Sequence, residues 1–197
     1  KGKKAMHWDA QSETALAKHE LEYKLIKDDS IFLKFKKKDS KNEYFLIWTT
    51  TPWTIPFNLA IMVNPDVDYV RIKVGSEYWI IAKDLVEDFM DSVMEKKYKV
   101  VEEFKGSELE GQEYEHFLKE EMVGKYDELK KESKNLHTII LSKQYVDTSS
   151  GTGLVHCAPG CGPEDEEVGR KYGIEGYNSL NERGEFVSRH FKGWTAK

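Results

Sequence analysis

The sequence predicts a mainly β fold with peripheral helices, whose short strands form a closed or nearly closed β-barrel. Two observations predict it. Apolar residues fall in short runs or alternate with polar residues at several places along the chain, as strands require. Helical patterns are few, and the regular strand–helix alternation of a doubly wound parallel sheet is missing. The length of 197 residues fits a single domain over 1–197.

The strands are predicted from local pattern. The first two cover 31–35 and 43–49, and alternating residues at 70–74 and 78–82 predict a hairpin around the break at Gly75. Three further short apolar runs are consistent with strands; they lie at 98–101, 136–141 and 154–158.

Two helices are predicted. The first follows Asp84 as N-cap, and its apolar face consists of Leu85, Val86, Phe89, Met90, Val93 and Met94. The second covers 163–172, with Pro163 at its first position, acidic residues in its first turn and Gly173 at its end. The charged segment 119–134 is consistent with either a solvated helix or a surface insertion.

Composition excludes several classes of protein. Hydrophobic residues make up 39% of the chain, too many for a disordered polymer. No apolar run approaches the roughly twenty residues of a membrane span, so we expect no membrane partner. The lysines at 1–4 are followed by no apolar segment, which argues against a secretory signal, and the missing first Met indicates a piece of something longer. Two cysteines argue against a disulfide scaffold and predict a reducing, cytoplasmic location.

The charge balance argues against strong autonomous binding of nucleic acid. The chain has 30 basic and 35 acidic residues, a net charge of −5. Domains that grip a nucleic-acid backbone usually have a pI above about 9. The charge is uneven, however, because five lysines lie within 34–41 and an acidic run covers 164–167.

The first segment that does not look like plain scaffold covers 48–58. It contains four threonines, two tryptophans and Asn58. Pro52 and Pro56 fix the backbone and disfavour helix at the preceding residues, which predicts an extended, rigid loop. Its hydroxyls could then bind a ligand at little ordering cost. The alternative is a threonine-rich edge strand that leads into a turn.

The second such segment covers 151–165. Its glycines permit close backbone approach, and a short strand then places His156 at its end. Asp165 falls in the first turn of the predicted helix, where the helix dipole favours an ionised carboxylate. Such a carboxylate suits an ammonium ligand. The alternative is a helix-capping residue.

Other chemistries fit these residues poorly. The Walker A and Gly-x-Gly-x-x-Gly patterns are absent, as is the Gly-x-Ser-x-Gly of serine hydrolases. A zinc site at His156, Cys157 and Cys161 lacks a second ligand pair, and a cysteine nucleophile lacks a supporting partner pattern. The other aromatic and histidine residues in no motif are expected to be structural or at the surface; they are His7, His19, His116, His137, His190, Trp8, Trp79 and Trp194.

Together the two segments resemble the editing domain of isoleucyl-tRNA synthetases, the insertion called connective peptide 1 of these class I enzymes. The resemblance is carried by the runs at 48–60 and 151–165, and 60–65, 12–23 and 106–116 also agree. The related valyl and leucyl domains carry arginine where this chain has Thr51, and they differ at Trp53 and His156. The chain departs from the family pattern at Phe117, Cys161 and 177–181, which puts local loop shapes in doubt.

The resemblance implies a proofreading hydrolase that is part of an isoleucine–tRNA ligase. Its substrate would be valine esterified to the 3′ end of tRNA(Ile), with valyl-adenylate as a second candidate. One methylene is worth about 1–3 kcal/mol, too little for the synthetic site alone, and the isoleucyl enzyme is the standard example of that limit. Water would attack the ester without a protein nucleophile, metal or cofactor. The chain lacks both class I aminoacylation signatures, His-x-Gly-His and Lys-Met-Ser-Lys-Ser.

The resemblance also implies residue roles. Asp165 would hold the substrate ammonium group. His156 would border the side-chain pocket or contact the ester end and, with Trp53, help limit the size of that pocket. The threonines would bind the terminal adenosine and position water; they are Thr49, Thr50, Thr51 and Thr54. Asn58 would support the loop or contact the adenosine.

The expected partners are the tRNA 3′ end and the rest of the synthetase, with the isolated domain monomeric. Two alternatives stay open. One is an editing domain of valyl or leucyl type, and the other is a non-catalytic tRNA-docking module.

Overall fold

The computed structural model describes residues 6–22, 24–25, 27, 29–122, 124–187, 191 and 195. Its strands are β1 His7–Asp9, β2 Thr14–Leu16, β3 Ile31–Lys37, β4 Glu43–Thr49, β5 Ala60–Val63, β6 Asp68–Val74, β7 Glu77–Ala82, β8 Lys99–Lys105, β9 Tyr114–Glu115, β10 Thr138–Leu141 and β11 Leu154–Cys157. The α-helices are α1 Val86–Phe89, α2 Lys125–Glu132 and α3 Pro163–Lys171.

Short 3₁₀ turns and one π-helical turn connect these elements. The 3₁₀ turns are Lys18–Glu20, Pro52–Phe57, Lys83–Leu85 and Gly106–Leu109, and the π-helical turn is Met90–Met94. None of the helices in the described ranges is long and apolar enough to cross a membrane.

The strands form three sheets. The largest has six strands in the order β8-β6-β7-β4-β3-β9, in which only the β4–β7 pair is parallel. The second has the order β10-β5-β11, with β5 parallel to β10 and antiparallel to β11. β1 and β2 form a separate hairpin. The prediction of a mainly β fold with few helices is therefore confirmed, including the β6–β7 hairpin.

Closure into a barrel stays a prediction. Among the described residues, the strand pairs form these three sheets, and no pairing joins them into a ring. The two larger sheets nevertheless share one core, in which Phe35 and Phe45 of the six-stranded sheet belong to the same buried cluster as Ile61 and Leu154. The two larger sheets therefore pack together around apolar side chains.

The helices depart from the sequence expectations in detail. Asp84 is not an N-cap, because the chain turns from Ala82 into the 3₁₀ segment that already contains Asp84. Val93 is 48% exposed although the predicted face included it, since the π-helical turn rotates it away from the buried Met90. The charged segment 119–134 contains α2, whose Tyr126 and Leu129 are buried. Helix α3 confirms the prediction over 163–172 within one residue.

A buried tyrosine connects the two larger sheets. Tyr69 of β6 is fully buried, and its hydroxyl donates to Gly153 O at 2.6 Å, just before β11. The same hydroxyl accepts the N–H of Asn64, the residue after β5, at 3.1 Å. Burial raises the pKa of Tyr69 to about 12, so the hydroxyl stays protonated and can donate. One side chain thus satisfies backbone groups beside two strands of the neighbouring sheet.

We predict that Tyr69→Phe lowers the free energy of unfolding by about 1–3 kcal/mol, because it leaves two buried backbone groups without a partner. Tyr78→Phe on the adjacent strand β7 is the matched control, since Tyr78 is only half-buried. Its cost should stay within about 0.5 kcal/mol. Urea unfolding measures both, and equal midpoints for the two variants would contradict this role of Tyr69.

Candidate functional site

The threonine-rich segment forms a compact turn. We expected an extended loop, but Pro52–Phe57 is a 3₁₀ helix, and that expectation is wrong. Pro52 tolerates the first helical position because its missing N–H would have no partner there. Thr51 O accepts two bonds that close the turn, from the backbone N–H of Thr54 at 3.0 Å and from its hydroxyl at 2.7 Å.

The threonine hydroxyls divide into two groups. Thr49 is buried at the end of β4, where its Oγ1 accepts the N–H of Thr51 at 3.1 Å. Thr54 is also buried, and its hydroxyl is held by Thr51 O. Thr50 and Thr51 are exposed, although the Thr51 hydroxyl also lies 3.2 Å from that of Thr49. The hydroxyls that can reach a ligand are therefore those of Thr50 and Thr51.

Strand pairing brings the second segment beside this turn. β5 leaves the turn, and β11 pairs with it antiparallel, so that His156 lies opposite Ile61 and Cys157 opposite Ala60. The N–H of Leu59 donates to Cys157 O at 2.9 Å and extends the pairing to the end of the turn. The two segments predicted as functional therefore meet in the fold.

His156 contacts the threonine turn directly. Its Nε2 lies 3.0 Å from the Thr54 hydroxyl. That hydroxyl already donates to Thr51 O, so it accepts from His156, and the ring proton belongs on Nε2. Nδ1 is then a buried acceptor without a protein partner. Burial lowers the pKa of His156 to about 4, so the ring is neutral at physiological pH.

Asp165 points back from α3 to the end of β11. Its Oδ2 accepts the N–H of Ala158 at 2.9 Å, a group outside the helix, so this bond is not a helix cap. Burial raises the pKa of Asp165 to about 6, although the Ala158 N–H opposes the shift. We expected the helix dipole to favour ionisation, but desolvation outweighs it. The carboxylate is still about tenfold more often ionised than protonated at pH 7.

Asn58 and Trp53 take different positions. Asn58 is fully buried; its amide donates to Ala60 O at 2.8 Å, and its Oδ1 accepts from the Tyr114 hydroxyl. These bonds favour support of the loop over contact with adenosine. Trp53 is half-buried and packs against the core cluster that contains Phe57.

The glycines of the second segment serve the fold. Gly151 and Gly153 both have positive φ, of 77° and 72°. A Cβ on Gly151 would lie 2.7 Å from the Trp48 ring, and one on Gly153 would collide with Ala82. Close packing against the six-stranded sheet therefore requires glycine at both positions.

The two cysteines are poor nucleophiles. Both are free thiols; Cys157 is buried, and its Sγ faces Asp165 O at 3.7 Å. Burial raises the pKa of Cys161 to about 12 and that of Cys157 well above its usual value, so both stay protonated. In the part of the chain that the structure describes, no three His, Cys, Asp or Glu side chains are grouped to hold a metal ion.

The lysine-rich stretch is not a free cationic surface. Four of its lysines pair with glutamates; the pairs are Lys34–Glu77, Lys36–Glu115, Lys37–Glu43 and Lys38–Glu113. A separate groove of about 850 Å³ lies between α2 and α3, and none of the predicted site residues lines it.

Three residues that hold the threonine turn carry no motif in the sequence that would indicate this role. Tyr114, His116 and Tyr126 all bond to the turn or to Asn58. We expected His116 to be structural or at the surface, and it is buried. His137 is mostly buried and Trp79 is buried. Trp8 is half exposed, and its Nε1 donates to Glu182 O. His190 and Trp194 lie outside the described residues.

Sequence comparison finds close relatives over nearly the whole chain. It is 48% identical to the isoleucine–tRNA ligase of Pyrococcus furiosus over 199 aligned residues, which cover 98% of this chain and 18% of the relative. Identity is 49% to that of Pyrococcus abyssi and 43% to that of Methanocaldococcus jannaschii. The chain thus spans less than a fifth of the length of these relatives. No protein-family profile matches it.

Comparison with solved structures finds the same fold in synthetase editing domains. The structure of GlLeuRS-CP1 matches with a TM-score of 0.55 at 15% identity, covering 83% of this chain and 69% of that one. The Plasmodium knowlesi (P.knowlesi) cytosolic leucyl-tRNA synthetase editing domain matches with a TM-score of 0.53 at 12% identity, covering 73% and 63%. Over nearly its whole length the chain is therefore similar to one segment of isoleucine–tRNA ligases, and its fold is that of synthetase editing domains.

Proposed function

We propose that this chain hydrolyses the ester of valine mistakenly attached to tRNA(Ile), with valyl-adenylate as a second candidate substrate. The observation that carries the proposal is the meeting of the two motifs. Thr50 and Thr51 expose their hydroxyls at the turn, the neutral His156 contacts the turn through Thr54, and the partly buried Asp165 accepts from Ala158 at the end of β11. The relatives are named isoleucine–tRNA ligase, and the fold is that of editing domains.

Asp165 is the proposed binding group for the α-ammonium of the amino acid. Its Oδ2 is occupied by the Ala158 N–H, and Oδ1 is the oxygen left for a ligand. A carboxylate that has lost hydration binds a cation more strongly than an exposed one does. The raised pKa therefore fits a group whose counterion arrives with the substrate.

Thr50 and Thr51 are the proposed contacts for the attacking water and the terminal adenosine. Thr49 and Thr54 hold the turn in place through hydroxyls that are already bonded. This arrangement fixes two exposed hydroxyls on a backbone with little freedom, which lowers the entropic cost of positioning water.

In the proposed reaction, water adds to the ester carbonyl carbon and the bond to the ribose oxygen breaks. That oxygen takes up a proton, which leaves valine and tRNA with a free hydroxyl. The amino-acid ester is already activated, so positioning and electrostatic stabilisation can supply the catalysis. The proposal uses no protein nucleophile, and the protonated cysteines are consistent with that.

His156 and Trp53 are the proposed limits of the side-chain pocket. His156 is fixed by the Thr54 hydroxyl and is neutral, so it can border an apolar side chain without the cost of a buried charge. A rigid wall can exclude the extra methylene of isoleucine by overlap, a stronger effect than the loss of a favourable contact.

The proposed partners are the 3′ end of tRNA(Ile) and the remainder of the synthetase. The net charge of −5 and the paired lysines imply that the remainder supplies most phosphate contacts. We also propose that the chain is cytoplasmic, that the isolated domain is a monomer and that its strands form a nearly closed barrel.

The first prediction concerns activity and selectivity. We expect the 197-residue chain, at high substrate concentration, to deacylate valyl-tRNA(Ile) faster than isoleucyl-tRNA(Ile). The alternatives of a valyl or a leucyl editing domain are tested with tRNA(Val) and tRNA(Leu), each carrying an incorrect amino acid similar to its own. Hydrolysis of none of these esters, either by the chain or by a full-length enzyme that contains it, would favour a non-catalytic docking module.

The second prediction concerns Asp165. Because the ionised form binds the ammonium group, kcat/KM should rise about tenfold per pH unit below pH 6 and level off above it. His156, with its pKa of about 4, stays mostly neutral above pH 5, so the rise between pH 5 and pH 6 reports on Asp165. Asp165→Asn should lower kcat/KM about a hundredfold or more and abolish the rise.

Glu164→Gln is the matched control for Asp165→Asn. It removes the same charge from the same turn of α3, but Glu164 is exposed. Its deacylation rate at pH 7 should match that of the parent chain, and the rise with pH should remain, moved slightly to lower pH because Glu164 also raises the pKa of Asp165. Equal losses in the two variants would show that general charge, rather than the Asp165 carboxylate, is responsible.

The third prediction concerns selectivity at His156. His156→Ala should enlarge the pocket and raise isoleucyl-tRNA hydrolysis relative to valyl-tRNA hydrolysis by about tenfold, the worth of roughly one methylene. Val155→Ala, the neighbouring half-buried residue on β11, should leave the ratio unchanged. An unchanged ratio in His156→Ala would reject its role in selectivity.

A further inference from the structure

The threonine turn is hydrogen-bonded to another segment of the chain. Two of its six residues are prolines without an N–H. The N–H of Thr54 donates to Thr51 O, and the N–H of Asn58 donates to Ile55 O. Hydrogen bonds of a 3₁₀ helix are poorly aligned, so donors from outside the turn add to its stability.

Three ring side chains of the segment 114–126 supply that support. His116 Nε2 lies 3.1 Å from Ile55 O, and the Tyr126 hydroxyl donates to Pro56 O at 3.0 Å. The Tyr114 hydroxyl donates to Asn58 Oδ1. Three of the four residues in 55–58 are therefore held by donors that lie 56 to 70 residues further along the chain.

The proton on His116 can be assigned from its second bond. The N–H of Leu118 donates to His116 Nδ1 at 3.1 Å, so Nδ1 is an acceptor and Nε2 carries the proton that Ile55 O accepts. Burial lowers the pKa of His116 to about 3, and nearby His137 contributes. The ring is therefore a fixed, neutral donor at physiological pH.

The donors are themselves packed into one ring cluster. The centroid of the His116 ring lies 5.1 Å from that of Tyr126 and 5.3 Å from that of Phe35 on β3. Tyr114 also packs edge-on against Phe35, at 5.1 Å. All four side chains are buried, so close packing restricts their positions.

We propose that Tyr114, His116 and Tyr126 are positioning residues for the threonine turn, and we refer to them as the ring clamp. The ring clamp bonds to 55–58, whereas the proposed reactive hydroxyls lie on Thr50 and Thr51. It therefore acts through the turn, by fixing the position from which those hydroxyls meet water and adenosine. The inference rests on the proposed function for its link to hydrolysis, but not for its effect on the turn.

Tyr126→Phe tests the ring clamp with the smallest change, because it removes one hydroxyl and keeps the ring. Tyr172→Phe is the matched control. The Tyr172 hydroxyl also bonds a backbone group, the N–H of Leu141 at 3.0 Å, but none of its hydrogen bonds reaches the turn. The measurements are amide hydrogen exchange of 52–58 in the ligand-free chain and single-turnover hydrolysis of valyl-tRNA(Ile).

We expect Tyr126→Phe to speed exchange at Thr54 and Asn58 and to slow single-turnover hydrolysis, each about tenfold, with little change in substrate affinity. Tyr172→Phe should change neither the exchange rate nor the hydrolysis rate, even if it lowers the unfolding temperature as much as Tyr126→Phe does. Unchanged exchange in Tyr126→Phe, or equal changes in the two variants, would overturn the ring clamp. A parent chain that hydrolyses no ester would overturn the proposed function instead, and the exchange comparison would still decide on the clamp.

A second pair of variants guards against loss of folding. His116→Gln keeps an N–H donor at a similar reach, whereas His116→Leu keeps volume without a donor. Slow exchange of the turn should survive in the glutamine variant and be lost in the leucine variant. The opposite order would show that packing, rather than the hydrogen bond to Ile55 O, holds the turn.

Discussion

The antiparallel pairing of β5 with β11 is the constraint on which the rest of the site depends. It joins two segments that lie about a hundred residues apart and sets His156 opposite Ile61. Because side chains alternate between the two faces of a strand, a slip of one residue would turn His156 away from Thr54. The Leu59–Cys157 bond and the Tyr69 hydroxyl fix this register from both ends of the pair. The site is thus a product of strand register more than of any local loop conformation.

Exclusion of water sets the charge state of the site. The same burial lowers the pKa of His156 and His116 and raises that of Asp165, because desolvation disfavours whichever form is charged. At neutral pH the histidines are therefore neutral, and the partly buried Asp165 carboxylate is mostly ionised. Such a carboxylate favours a cationic group on its ligand. If the ligand is an aminoacyl ester of tRNA, as proposed, its protonated amine has that property, whereas the tRNA phosphates do not.

Local pattern predicted much of the fold and little of the support for the site. The β6–β7 hairpin, β11 and α3 follow from alternation and capping signals. The turn at Pro52–Phe57 does not, because prolines favour both extended and 3₁₀ backbone, and only the bonds to Thr51 O decide between them. The pKa of Asp165 depends on burial by distant residues. His116 and Ile55 lie 61 positions apart in the sequence, and no periodic pattern of residues indicates that they are in contact. Barrel closure stays a prediction.

The paired lysines of 34–38 have a kinetic consequence if the chain edits tRNA. Each ammonium group is matched by a nearby glutamate, so few counterions would be released when a nucleic acid approaches this surface. Attachment of the acceptor end would then depend on the short contacts around the turn, and the residence time would be brief. Proofreading is a competition between hydrolysis and departure. A surface that does not hold the strand lets a correctly charged end leave before water can attack it, so weak attachment itself protects the right product.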